Sequence, residues 1–453
     1  MSTEAFESVV AEVRAQVDPD ETERTHLQDV ANEIITRTEA TAAELPVEAD
    51  VIQVGSTARG TWLSGDRDID VFVRFPPDLP REKLKAYGLQ IGHAVLPDGH
   101  EEFAEHPYVV GSVDGFDVDL VPCFRVPDAT AIQSAVDRTP FHTQYLNDRL
   151  NEDLAAEVRV FKQFCKGIGV YGSDLRTCGL SGYLTELLVL EYGGFLEVLE
   201  AAADWQPQVE LDPEDHGRAT FKDPLVVIDP TDPERNVAAV TSAENVARLQ
   251  HHARAFLEEP TVERFFPTDP EPLDADDVRE HIERRGTTPV AIRFDAPDLV
   301  DDQLYPQLRK SLAGITRELG RRGFDVFRAA TWSAASSVLF VELAVASRPA
   351  VERHDGPPVA VREHALGFYG KYQREDGITY GPFVDGDRYV VEREREFTTV
   401  HEFLESDALL DVSLGVHIEE ALREEYEVLV GEESTALAEE FGVELANYFD
   451  PTV

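Results

Sequence analysis

Asp68-Ile69-Asp70 sets two carboxylates two residues apart, and in a strand that spacing sends both to one face. Carboxylates so close repel unless a hard cation lies between them, and Mg²⁺ prefers oxygen ligands of this kind. A third acid on an adjacent strand would complete a two-metal site. Phe116-Asp117-Val118-Asp119-Leu120-Val121-Pro122 offers one, because Asp119 alternates with apolar Val118 and Leu120. Asp117 lies on the same face as Asp119, so parity alone leaves both open. Thirteen residues ahead of Asp68, Gly55-Ser56 opens a loop whose backbone N–H groups and hydroxyl suit phosphate oxygens, with Arg59 close by. Alone, D-x-D in so acidic a chain reads as a solvated strand face. An upstream Gly-Ser and a downstream strand acid reverse that reading.

These groups need a scaffold. Val51 to Val54 reads as a strand, followed by a Gly55/Gly60 loop and a second strand over Ile69 to Val73. Val109 to Phe124, broken at Asp114-Gly115, reads as a hairpin with a tight turn. Helical periodicity marks Phe6, Val9, Val10 and Val13, then Leu27, Val30, Ala31, Ile34 and Ile35, then Leu84 to Val95. From Phe141 to about Leu199 the pattern is helical, and a strand at Val226-Val227-Ile228 and a helix from Ala243 to Leu257 follow. Glu258 to Pro272, rich in Pro and acid, reads as a linker. Beyond it come a strand at Val290 to Ile292, a helix from Tyr305 to Leu319, and strands at Phe324 to Phe327 and Val338 to Val341. The last stretch reads as two helices, Ile418 to Leu429 and Thr435 to Phe441. The expectation is an α+β multidomain chain.

The chain has 453 residues, enough for two to four domains. Its 88 Asp and Glu against 41 Lys and Arg give a net charge of −47, spread along the whole length. Only seven of those cations are lysines: Lys83, Lys85, Lys162, Lys166, Lys222, Lys310 and Lys371. Dispersed acid with Lys excluded fits multimolar salt, where repulsion is screened within about 3 Å. In such salt counterion release contributes little to RNA binding, so an RNA would be held by shape and specific hydrogen bonds. Cys123, Cys165 and Cys178 form no C-x-x-C pair and read as reduced thiols. No apolar run approaches the roughly 18 residues of a membrane span, and the acidic start (Glu4, Glu7) lacks the basic, then apolar, order expected of a leader. A soluble, cytoplasmic protein is expected, with no membrane partner.

The joint pattern of Gly-Ser, D-x-D and strand acid is the signature of the nucleotidyltransferase superfamily, whose fold is similar to the head of DNA polymerase β. The chain further resembles the archaeal (class I) CCA-adding enzymes, the tRNA nucleotidyltransferases that build the 3′-terminal CCA. The matching stretches are Gly55-Ser56 through Leu63, Asp68 to Phe72, Val118 to Cys123 and Asp137 to His142. Tyr171-Gly172, Gly179 to Tyr183 and Asp229 to Ala239 continue the series. The resemblance implies a catalytic head over residues 1–145 with a mixed or antiparallel sheet and a helical, nucleotide-binding neck over 146–265. It implies an α+β body and tail over 266–453 that binds tRNA.

Carried over, the resemblance implies Asp68, Asp70 and Asp119 as the catalytic metal ligands of a two-Mg²⁺ site, choosing Asp119 over Asp117. It implies Ser56 and Arg59 on the triphosphate, Thr139 near the sugar or phosphate, and His142, Lys162 and Tyr171 on the incoming nucleotide. Arg235 would face the base. Relatives often carry Glu where Asp68 stands, one methylene longer. Each residue also has a plainer role: Lys162 as the polar side of an amphipathic helix, His142 as a helix-start residue, Tyr171 and Trp62 as core, Arg235 as a partner of Asp232 or Glu234. The implied reaction moves CMP, CMP and AMP from CTP and ATP to the tRNA end and releases pyrophosphate. Other functions considered are a poly(A)-polymerase-like transferase, a non-catalytic RNA-binding relative and a small-molecule adenylyltransferase. Partners are thus tRNA, ATP and CTP, with a homodimer as a further expectation.

Overall fold

Alternation of apolar and acidic residues, Asp68 to Val71 and Phe116 to Leu120, opens the two central strands of the first sheet. In the computed structural model, which describes residues 3–103, 105–206, 208–375 and 378–453, helices α1 (Thr3–Val17) and α2 (Glu21–Ala42) lead into it. The Asp20 side chain caps α2 by accepting from Glu23 N at 2.8 Å. Then follow β1 (Asp50–Val54), α3 (Gly55–Arg59), β2 (Asp68–Phe75), α4 (Arg81–Val95), β3 (His100–Phe103), β4 (Pro107–Val113) and β5 (Phe116–Phe124). Strand order is β1-β2-β5-β4-β3, with β2 and β5 parallel and the other pairs antiparallel. Asp114 and Gly115 both take positive φ, as a tight β4–β5 turn requires.

Ile69, Val71, Val118 and Leu120 are buried against Leu27, Val30 and Ile34 of α2 and Leu84, Ile91 and Val95 of α4. Each such side chain contributes roughly 1.5–3 kcal/mol by leaving water. Trp62 is buried in this core, its packing role. The acidic residues of β2 and β5 therefore fall on the opposite face. The segment read as a Gly55/Gly60 loop is instead the single-turn helix α3, stopped by Gly60 in the left-handed conformation.

A helical layer follows: α5 (Thr139–Asn147), α6 (Glu152–Gly167), α7 (Gly182–Tyr192), α8 (Phe195–Asp204), the small strands β6 (Val209–Leu211), β7 (Leu225–Asp229) and β8 (Asp232–Asn236), and α9 (Ala243–Glu258). Phe164, Phe195, Phe256 and Phe265 form its aromatic centre, which Phe6 of α1 joins. Strand β8 gives no strand signal in the sequence because it is short and its residues are polar. All of this belongs to one compact unit that ends at Thr268.

The second unit, from Asp269 to Thr452, contains α10 (Ala275–Arg285), β9 (Thr288–Asp295), α11 (Asp301–Arg322), β10 (Val326–Ser333) and β11 (Ser336–Leu343). It continues with β12 (Val351–Pro358), α12 (Arg362–Tyr372), β13 (Ile378–Asp385), β14 (Arg388–Glu394), α13 (Val400–Leu404), α14 (Val416–Glu424), β15 (Glu427–Val430) and α15 (Ala438–Phe449). An antiparallel sheet of order β10-β11-β9-β15 is covered on both faces. Ile292, Leu339 and Val341 meet α11 and α14, whereas Ala291, Val338 and Phe340 meet α10 and α15. The helix expected over Ile418 to Leu429 stops at Glu424, and Val428 and Leu429 instead pair with Ile292 and Ala291 along the edge of β9. Helix α15 likewise starts at Ala438 and runs on to Phe449. No elements were read over β12 to β14, whose largely exposed residues lack an apolar period. No helix among the described residues is long and apolar enough to cross a membrane. Cys123 and Cys165 are buried free thiols, and Cys178 is half-buried.

Candidate active site

The parallel register of β2 and β5 sets Asp68 opposite Asp117 and Asp70 opposite Asp119. Period-2 geometry puts all four on the face that turns away from the core. Asp117 is exposed, whereas Asp119 is partly covered and pairs across to Val110 on its other side. Burial, then the charge of Asp70, pushes the Asp119 carboxyl up to about 7. Burial, then the charge of Asp68, pushes Asp70 up to about 6, against the pull of Arg59. Asp68 is raised as well, by burial and by Asp66 and Asp117. At the sheet edge Tyr108 donates to Glu102 at 3.0 Å, and Glu102 adds to the negative field at Asp119. Sequence reading missed both, since neither belongs to a motif.

Among the described residues no group of three His, Cys, Asp or Glu stands ready-formed around a metal position. The donor set nevertheless suits a hard cation: it is all oxygen, and its members destabilise one another's charged forms.

Gly55 begins α3 at φ +76°, directly beside Asp70. Ser56 is the next residue, and its carbonyl accepts from Gly60 N and Thr61 N. At the end of the same helix Arg59 turns into the protein. Its Nε and Nη2 donate to the two carboxylate oxygens of Glu186 at 3.1 and 2.8 Å, and its Nη1 donates to Thr143 Oγ1 at 3.1 Å. Thr61 Oγ1 also donates to Glu186. Lys162 of α6 lies beside them, donating to Thr61 O at 3.0 Å, with Glu186 at 4.0 Å. Lys162 is 3% exposed, so it is no solvated helix face. Burial lowers it to about 8, with Glu186 opposing. Burial works against the Glu186 charge, but Arg59 and Lys162 hold its carboxyl below the usual range.

Tyr171 comes to the same place. A β-carbon on Gly182 would stand 3.1 Å from the Tyr171 hydroxyl and 3.8 Å from Lys162 Nζ, so the glycine leaves both room. Burial raises the Tyr171 phenol, and the Lys166 ammonium lies 5.5 Å from the centre of its ring.

A second cluster gathers at the end of β7. Asp229, fully buried, accepts from Arg235 Nη1 at 2.8 Å and stands 2.8 Å from His142 Nε2. Thr231 donates to it through N and Oγ1 at 2.9 and 2.8 Å. Burial opposes the Asp229 charge, yet His142, Thr231 and Arg235 hold its carboxyl far below the usual range. The His142 ring stacks on Tyr183, with centroids 3.8 Å apart and planes 12° from parallel. Burial lowers the His142 pKa against the pull of Asp229. The partner of Arg235 is therefore Asp229, neither Asp232 nor Glu234; Asp232 pairs with Arg138 at 3.3 Å. The turn after Asp229 reverses the chain and pairs β7 with β8, which brings a residue six positions away into reach. His142 is the fourth residue of α5, in its first turn.

The two clusters adjoin through α5, which carries both His142 and Thr143, and through α7, where Tyr183 and Glu186 are one turn apart. Arg59 links the first cluster to Asp70. Thr139 sits at the first position of α5, partly exposed, and Ser56 in α3; neither side chain joins either cluster. Glu186 carried no signal in the sequence, sitting as it does among Leu184, Leu187 and Leu188.

Residues 37–142 match the nucleotidyltransferase domain family, 156–266 the second domain of tRNA nucleotidyltransferases, and 285–431 the C-terminal domain of CCA-adding enzymes. A CCA-adding enzyme of Haloarcula marismortui is 62% identical, covering 99% of either chain. That of Halorubrum lacusprofundi is 60% identical over 98% of this chain and 99% of its own. That of Methanosarcina barkeri is 41% identical over 92% of either chain. Among solved structures, the RNA terminal uridylyl transferase Cid1 is 15% identical with a TM-score of 0.46, covering 59% of this chain and 99% of its own.

Proposed function

The chain belongs to the CCA-adding enzyme family, and from that premise we propose that it adds C, C and A in turn to the 3′ end of tRNA. The donors are CTP and ATP, the leaving group is pyrophosphate, and no nucleic-acid template is used. One observation carries the chemistry: Asp70 and Asp119 stand opposite each other on parallel strands, with Asp68 on the same face and Arg59 beside Asp70.

Asp68, Asp70 and Asp119 would hold two Mg²⁺ ions, and Asp117 stays outside in solvent. When bound, these cations acidify the terminal 3′-hydroxyl and neutralise the triphosphate and its leaving group. Arg59 and Lys162 add positive charge to the same triphosphate, and Ser56 and Thr139 offer hydroxyls to it and to the sugar. Tyr171 and His142 place the nucleotide. Arg235, held by Asp229 through one Nη, presents its remaining donors to the base. Residues 1–145 form the head, 146–265 the neck that frames the base, and 266–453 the body and tail that grip the acceptor stem. What supports this division is the order of the three matched families along the chain.

Offering the two triphosphates singly tests the reading. With tRNA lacking its 3′ end, CTP alone should give two additions and then a stop. With tRNA already ending in CC, ATP alone should give one. A long A tail from ATP alone would mean a poly(A)-polymerase-like transferase, and no addition from either would mean a non-catalytic relative.

A further inference from the structure

We propose that Glu186 is the positioning residue that sets Arg59 and Lys162 as a matched pair for the triphosphate. The proposal rests on the reading above that these two cations face the phosphates. Glu186 is wholly buried within the apolar stretch of α7. Four side chains from three separate segments converge on it or its immediate partners: Arg59 from α3 with Thr61 just after it, Thr143 from α5 and Lys162 from α6. The Arg59 fork meets both carboxylate oxygens, a bidentate arrangement that fixes the guanidinium plane as well as its position. Thr143 holds the other Nη of that fork. Lys162 is fixed through the carbonyl of Thr61, whose hydroxyl donates to Glu186.

Stability alone gives little reason for such an arrangement. A buried ion pair is often no more stable than a well-packed apolar replacement of similar volume. Within the cluster two cations surround one anion; Asp70 and Asp66, which also interact with them, are not bonded into it, so the cluster itself carries a positive charge that stability does not need and a polyanionic ligand does. Glu186 thus cancels enough charge for Arg59 and Lys162 to share a low-dielectric site, and leaves enough to attract a triphosphate. It touches no substrate itself.

The test uses the full-length enzyme in molar KCl with Mg²⁺, and inorganic tripolyphosphate as a competitive inhibitor against CTP. Glu186→Gln keeps the shape and one acceptor oxygen but loses the charge and the matched fork. It should raise the inhibition constant of tripolyphosphate and the KM for CTP and ATP together, by roughly tenfold, with a smaller fall in kcat. Preference for CTP over UTP should stay unchanged, because the base is read at Arg235. Thr61→Val removes only one hydroxyl donor to Glu186 and should move the same constants two- to threefold in the same direction. Should Glu186→Gln not fold, Thr61→Val decides. Unchanged tripolyphosphate inhibition in the folded variants overturns the positioning role. Arg59→Ala in the same assay separates the two levels. If it weakens tripolyphosphate and Glu186→Gln does not, only the role of Glu186 falls. If Arg59→Ala also has no effect, the phosphate reading falls and takes the proposal with it.

Discussion

The Asp70 carboxylate occupies the space that a side chain at Gly55 would need: a β-carbon built there would stand 1.9 Å from Asp70 Oδ2. Gly55 also holds φ at +76°, a region that costs an L-residue about 1–2 kcal/mol. Gly55→Ala should therefore fold with a modest loss of stability but displace Asp70. Activity should fall at least about a hundredfold, as expected when a reacting group is misplaced by an ångström. Nucleotide extension assayed beside a thermal melt checks this, and near-normal turnover would show that Asp70 can be moved freely.

The unequal burial of Asp117 and Asp119 yields a paired prediction. Asp119→Ala should abolish transfer, a loss of about a thousandfold or more if several kcal/mol of charge stabilisation go with it. Its melting temperature should hold or rise, because a raised carboxyl among like charges is removed. Asp117→Ala should stay within a few-fold of the parent. The reverse pattern in extension assays would reassign the third ligand to Asp117.

The acid pattern was partly readable from sequence, because a strand period of two puts Asp68 with Asp70 on one face and Asp117 with Asp119 on another; that the two faces coincide depends on the β2–β5 pairing, and Asp119 was chosen over Asp117 by the family resemblance. Gly55-Ser56 reads in the sequence as a loop offering N–H groups and a hydroxyl to phosphate, and the structure makes it a turn of helix. What could not be read depends on contacts distant in sequence. Glu186 meets Arg59 across more than a hundred residues and looked like one polar position in a leucine-rich helix. Asp229 was visible only as part of a motif, and its hold on both His142 and Arg235 needs the β7–β8 reversal and the approach of α5. Val428 and Leu429 fit a helical period equally well, and the open edge of β9 decided for strand.

Arg235 supplies a prediction about base choice. Cytosine offers O2 and N3 as acceptors and adenine offers N1 and N7, whereas uracil N3–H and guanine N1–H are donors. A guanidinium carries donors only, so where it meets pyrimidine N3 or purine N1 it can pair with C and A but sets donor against donor with U and G, at roughly 1–3 kcal/mol, about a ten- to hundredfold preference. Arg235→Ala should lower CTP and ATP incorporation and narrow their advantage over UTP and GTP. Single-nucleotide extension with each triphosphate measures it; unchanged discrimination would reduce Arg235 to an ion-pair partner of Asp229.

A net charge of −47 with seven lysines should make stability and activity rise with KCl into the molar range. Screening shortens the reach of repulsion between carboxylates to about 3 Å at 1 M. Melting temperatures recorded from low to molar KCl should climb steadily, and a flat or falling series would contradict it.

Template-free synthesis of a defined sequence is read directly by sequencing the product. The enzyme, Mg²⁺, all four triphosphates and a tRNA lacking its 3′ end are incubated in molar KCl, and the new 3′ ends are sequenced. The expected ends are C, C and A in that order, followed by termination, with no product when Asp70 is replaced by Ala. Ends of mixed sequence, a homopolymer tail, or CCA made equally well by the Asp70→Ala variant would contradict it.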